Sequence, residues 1–173
     1  MADVYVLTHS NSTTLSFCLD SIYKFNYEPT IIHGYTLHDH FKKNEIVFSS
    51  FRDRILPLAL ETGRDIFFIE DDTIINEALP VPDSLADVSF IAYSGKRKDH
   101  IIGANIVFFR NNILKFLKND MEKCKSQHFD MYLCKFVGRQ AIEYMIYNEF
   151  NWNEKKHDSL NIDGVRFHNK VIK

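Results

Sequence analysis

Cysteine is scarce in this chain and follows no pattern: Cys18, Cys124 and Cys134 are odd in number and show no C-x-x-C spacing. That argues against a disulfide framework and for reduced thiols in a cytoplasmic protein. Long apolar runs are missing too. No stretch approaches the roughly 18 apolar residues of a membrane helix, so no membrane span is expected. The opening MADVYVLTHS has neither the charged start nor the apolar middle of a secretory signal. Charge of one sign is not in excess, because 21 Lys and Arg face 23 Asp and Glu for a net charge of -2. A global basic field for nucleic acid is thereby excluded, although a local patch is not. Internal repeats and low-complexity tracts are absent as well. What is present is 45% hydrophobic and 25% charged residues, a globular balance. The length suits one domain, residues 1–173, with its own core.

Strand-like and helix-like segments alternate along the chain. Residues 4–8 (VYVLT) and 30–33 (TIIH) read as short strands. Between them Leu15, Cys18, Leu19, Ile22 and Phe25 form one helical stripe, with Ser12 as a plausible N-cap. Residues 34–45 are polar and read as a loop. A second helix is expected over 47–62, broken or kinked at Pro57 and closed by Gly63. A buried strand follows at 65–70, an irregular excursion at 73–86, and strands at 87–93 and 105–109. Helices are expected at 111–120, 128–137 and 139–150, and a last short strand at 165–168. Such alternation argues for an α/β fold with a mostly parallel central sheet and helices on both faces.

The distinctive stretch is DIFFIEDDTIIN, residues 65–76. Four apolar residues run straight into Glu70, Asp71 and Asp72. Acids this crowded repel one another and need a cation or a shared proton. In open α/β sheets ligands bind beyond the carboxyl ends of strands, which is where these acids fall. If the strand geometry persists, period-two alternation turns Glu70 and Asp72 to one side and Asp71 to the other. Oxygen ligands suit Mg²⁺ or Mn²⁺. The plainer reading is a solvated strand terminus with one acid capping a turn.

The longer text FRDRILPLALETGRDIFFIEDD, residues 51–72, resembles nucleotide-sugar glycosyltransferases of the GT-A fold. Their signature is a D/E-x-D motif closing a buried strand, behind a helix of the type R-(D/N)-x-x-x-x-x-A-x-x-x-G. The similarity extends loosely from Val4 to GANIVFFRNNILKFL at 103–117, which looks like the acceptor-side strand and helix. The resemblance implies a single-domain Rossmann-like GT-A fold and a sugar moved from a UDP- or GDP-sugar to an acceptor hydroxyl. Mn²⁺ or Mg²⁺ then sits on Glu70 and Asp72, with the late His168 as a further ligand. Thr8, His9 and Ser10 after the first strand, Arg52 or Arg54, and Asp71 are the implied donor contacts. Asp130 is the implied general base of an inverting enzyme, with His128 as a substitute. The acceptor, whether saccharide, protein or modified nucleic acid, is left open.

Each of these residues has a structural alternative. Ser10, Asn11 and Ser12 form a turn, Arg52 and Arg54 are surface residues, Asp130 complements a helix dipole, and His168 is a lone exposed imidazole. His38-x-His40 is a rival zinc signal without a matching set elsewhere. Lys96, Arg97 and Lys98 form an exposed basic loop or a grip on phosphate. Two other functions fit the same residues: a non-catalytic nucleotide-sugar binding module, and a glycosyltransferase acting on nucleic-acid bases.

Overall fold

The computed structural model describes residues 2–9, 12–36, 43–75, 78–79, 88–94, 103–139, 144–151, 160–162 and 165–167. The chain opens as β1 (Asp3–Thr8), α1 (Leu15–Tyr23) and β2 (Thr30–His33). Next, α2 (Lys43–Ser50) passes through a π-helical turn (Phe51–Ile55) into α3 (Leu56–Thr62). Then come β3 (Ile66–Glu70), β4 (Val88–Ser94) and β5 (Gly103–Phe109). Helices α4 (Asn111–Glu122) and α5 (Phe129–Arg139) lead to β6 (Tyr144–Asn151). A hairpin of β7 (Leu160–Ile162) and β8 (Val165–Phe167) follows.

Six strands form one sheet in the order β2-β1-β3-β5-β4-β6. The pairs β1–β2, β1–β3 and β4–β6 are parallel, while β5 runs antiparallel to both β3 and β4. The architecture is therefore α/β with a mostly parallel open sheet, as the alternation of elements predicts. The chain steps from β1 to β2 on one side and returns to β3 on the other. Strand order thus reverses at β1, and the crevice beyond β1 and β3 is the switch point of the sheet.

Each face of the sheet carries its own core. Val4, Val6, Phe67 and Ile69 meet Cys18 and Ile22 of α1, with Ile75 and Leu79 closing that side. Tyr5, Leu7, Ile66 and Phe68 face the other helices. There Phe51 contacts the rings of Phe68, Phe109 and Phe129 at centroid distances of 5.3, 5.3 and 5.0 Å. Such tilted and edge-on ring pairs add to simple area burial. No helix among the described residues is long and apolar enough to cross a membrane.

Local chemistry accounts for the boundaries. Gly63 has φ 66° and takes the left-handed cap of α3, where its N–H bonds Ala59 O. Pro57 divides the long helix as expected. It occupies the first turn of α3, where a missing N–H costs nothing, and the π turn just before it bonds Leu56 N–H to Phe51 O. Helix α1 begins later than expected, at Leu15, so Thr14 rather than Ser12 precedes it, and no side chain among the described residues caps it. Helix α2 begins at Lys43, inside the stretch read as a loop. The expected helix at 139–150 is overturned: residues 144–151 are strand β6, paired in parallel with β4. The stretch YMIYNEFN is rich in aromatic and apolar residues that fit either period, and the available sheet edge decides.

Candidate active site

Strands β1, β2 and β3 run the same way and end together at Thr8, His33 and Glu70. Beyond Glu70 the chain turns at once, with Thr73 N–H donating to Glu70 O at 3.2 Å. Asp71 is fastened to β1 by two bonds. Its N–H donates to Leu7 O at 3.1 Å, and its Oδ2 accepts the Thr8 hydroxyl at 2.8 Å. Both partners are buried, at 1% and 6% exposure, and Asp72 is buried beside them. The Thr8 hydroxyl offsets part of the cost of burying the Asp71 carboxylate. Cys18 on α1 donates to Glu70 O at 3.7 Å. Its thiol is pushed up to about 12, first by burial and then by the charges of Asp71 and Asp72. Both carboxylates therefore lie within electrostatic reach of the α1 side. Glu70 follows Phe68 onto the opposite face by alternation. That alternation stops at Glu70, so it does not extend to Asp72.

The second wall comes from the end of β2 and the π turn. Gly34 N–H donates to Thr8 O at 2.7 Å, extending the β1–β2 pairing by one step. His9 Nδ1 lies 3.1 Å from Tyr35 O. A carbonyl only accepts, so Nδ1 is the donor in this contact. Ser50 Oγ accepts Tyr35 N–H at 3.0 Å. A Cβ on Gly34 would come within 2.7 Å of the His9 ring and 2.8 Å of Ser50 Oγ. Gly34→Ala is therefore expected to lower stability by about 1–3 kcal/mol through overpacking. Urea denaturation checks this, and an unchanged midpoint refutes it.

Tyr35 itself is 39% exposed yet firmly held. Its hydroxyl donates to Asp53 at 2.9 Å, and the Arg54 guanidinium sits 4.3 Å from its ring centre. Arg54 also donates to His33 O. Arg52 forks onto Asp53 at 2.8 and 3.2 Å and lies over Phe48. These hydrogen bonds hold the Asp53 carboxylate below its ordinary range, with Arg52 the largest cause. Arg52 and Arg54 thus flank Asp53 as the sequence shows, and Arg54 contacts the loop after β2. Nothing local in the sequence marks Tyr35, a lone aromatic in a polar stretch without periodic signal.

The third component is the start of α5. Phe129 packs edge-on against Phe68 at 5.6 Å, which sets the first turn of α5 against the middle of β3. Asp130 follows, with His128 Nδ1 at 3.5 Å from its Oδ1. Ser10 and His168 lie outside the described residues, as do His38, His40 and the 96–98 loop.

Glu70, Asp71 and Asp72 offer only oxygen, the donor chemistry that Mg²⁺ and Mn²⁺ prefer. Among the described residues no three His, Cys, Asp or Glu side chains converge into a metal cage. The acids present fit a hard ion held by one or two carboxylates and completed by substrate phosphate and water.

No protein-family profile matches the chain, and no curated protein matches its sequence. Solved structures do. A glycosyltransferase involved in the glycosylation of the major capsid of PBCV-1 shares 9% identity and a TM-score of 0.59, over 84% of this chain and 82% of that one. A glycosyltransferase of Streptococcus pneumoniae TIGR4 shares 9% identity and a TM-score of 0.52, over 83% of this chain but 44% of that one. A cytidylyltransferase from Leptospira borgpetersenii shares 12% identity and a TM-score of 0.53, over 90% and 77% of the two chains. The fold of this chain is thus the GT-A-like α/β fold that these transferases share.

Proposed function

We propose that this chain is a metal-dependent glycosyltransferase that moves a sugar from a nucleoside-diphosphate donor to an acceptor hydroxyl. The observation that carries this reading is the pair of buried acids, Asp71 and Asp72, at the switch point of the sheet, with Asp71 fastened by Thr8. A diphosphate leaving group builds up negative charge as the glycosidic bond breaks. Asp72 would lead the ligand set for Mn²⁺ or Mg²⁺ on the α1 side of the strand end, Glu70 would have to reach it from the other face, and the ion would supply Lewis-acid stabilisation of that charge. Thr8 and His9 border the same crevice, and Tyr35 presents a rigid aromatic face beside it. In this reading Arg54 serves the donor by bracing Tyr35, and Arg52 by holding Asp53. His168 belongs to the proposed ligand set on the strength of the family resemblance alone, and Ser10 to the donor set likewise. The acceptor is a saccharide or a glycoprotein, in keeping with the capsid-glycosylating neighbour.

The direct test titrates UDP, GDP, CDP and CTP into the protein by calorimetry, with and without Mn²⁺. A UDP- or GDP-sugar is then assayed for transfer or slow hydrolysis. Metal-dependent diphosphate binding with sugar release is expected. Binding of CTP with nucleotidyl transfer to a sugar phosphate would instead assign the chemistry of the cytidylyltransferase neighbour. Arg54→Ala is expected to weaken donor binding a few-fold to about tenfold, since its ring contact is worth on the order of 1 kcal/mol. Unchanged affinity in both Arg52→Ala and Arg54→Ala makes these arginines surface residues.

A further inference from the structure

We propose that His128 is the positioning residue for Asp130, fixing the carboxylate at the start of α5, where Ser126 and Phe129 meet α2. The inference deepens the glycosyl-transfer reading, in which Asp130 receives the acceptor's proton, and rests on it for its catalytic half only. The geometry begins with the 3.5 Å approach of His128 Nδ1 to Asp130 Oδ1, both side chains being partly exposed. His128 stands immediately before α5, and its carbonyl accepts Tyr132 N–H at 2.9 Å, closing the first helical turn.

An imidazolium at a helix start is opposed by the helix dipole, so something must favour it there. Two carboxylates do so from two elements: Asp130 on its own helix and Glu45 on α2. The contact with Asp130 is the largest cause of a rise in the His128 pKa. Burial opposes that rise, and the charges of Asp130 and Glu45 add to it. A second polar link lies close by, where Ser49 of α2 meets the hydroxyl of Ser126. Underneath, Phe129 is wedged against Phe48, Phe51 and Phe68. The helix start is thus rigid below and charge-paired above, which is the arrangement a proton-accepting carboxylate needs to stay aimed.

The sign of the pH effect follows. A raised imidazole pKa in the folded chain favours the charged ring, so its stabilising contribution is complete below the free value of about 6.5. It fades as pH rises through the elevated folded value.

The test follows the His128 imidazole by NMR titration in the parent, Asp130→Asn and Glu45→Gln chains. A midpoint above the free-imidazole range is expected in the parent, with a marked fall in Asp130→Asn and a smaller one in Glu45→Gln. In transfer assays His128→Ala should lose roughly 10- to 100-fold in kcat, the scale of a misaimed catalytic group, with donor KM unchanged. His128→Gln, which keeps an N–H for Asp130 but cannot titrate, should restore most of the rate and flatten its alkaline limb. An His128 midpoint indifferent to Asp130→Asn, or a parental kcat in His128→Ala, overturns the proposal. A parent chain without transfer activity but with the coupled titration refutes the glycosyl-transfer reading and the catalytic half, and leaves the pairing of His128 with Asp130 established.

Discussion

Asp72→Asn is expected to abolish Mn²⁺-dependent binding of UDP or GDP while the chain stays folded. Asp72 is buried in the turn that follows β3, beside Asp71. In the proposed site it supplies one of only two or so protein carboxylates to a hard divalent ion, the rest coming from phosphate and water. Replacing it by an amide removes a full negative charge from the cation. Affinity is expected to fall at least about 100-fold, or about 2.7 kcal/mol. The fold should tolerate the change, because neutralising one of several crowded acids relieves repulsion. Thr8 still holds Asp71 through its hydroxyl in that variant. Calorimetry with and without Mn²⁺, beside circular dichroism, checks both halves. Unaltered metal-nucleotide affinity in a folded Asp72→Asn chain removes Asp72 from the site.

Asp130→Asn carries the second large effect. A hydroxyl nucleophile must shed its proton as it attacks the anomeric carbon, and a carboxylate in reach accepts it. Asp130 lies in the first turn of α5, next to Phe129, whose ring rests on Phe68 two residues before Glu70. That packing sets the helix start against the middle of β3. Loss of the base is expected to lower kcat by roughly 10²-fold or more, with donor affinity little changed. The anomeric configuration of the product is to be read in the same experiment. Retention of configuration, or full turnover by Asp130→Asn, reduces Asp130 to an acid that complements a helix start.

The first half of the chain was largely legible because its signals are local and mutually consistent. Short apolar runs marked β1 and β3, a helical stripe marked α1, and Pro57 and Gly63 punctuated the long helix where the structure divides and ends it. The acids after β3 announced themselves by their crowding. What failed did so for identifiable reasons. Tyr144 to Asn151 satisfies either a helical or a strand period, and only pairing with β4 selects the strand. Projecting strand alternation past Glu70 assumed a straight chain, whereas Thr73 N–H folds back to Glu70 O. The bracing of Tyr35 by Asp53, Arg54, His9 and Ser50 joins residues from three segments. No single stretch of sequence carries that pattern.

The π turn at 51–55 holds one residue more than an α-helical turn would. Each residue of an α-helix advances the side-chain direction by about 100°, so an extra one shifts the phase of everything before it relative to everything after. Upstream, Phe48 and Ser50 face the aromatic core and Tyr35; downstream, Leu56 and Ala59 are buried in the core. Deleting one residue between Arg52 and Arg54 would restore a continuous α-helix and swing one of these halves out of phase. Either the Ser50 hydroxyl leaves the Tyr35 N–H, or the core side of α3 turns outward. Frame-preserving deletions in this five-residue window should therefore be tolerated far less well than substitutions at the exposed positions within it.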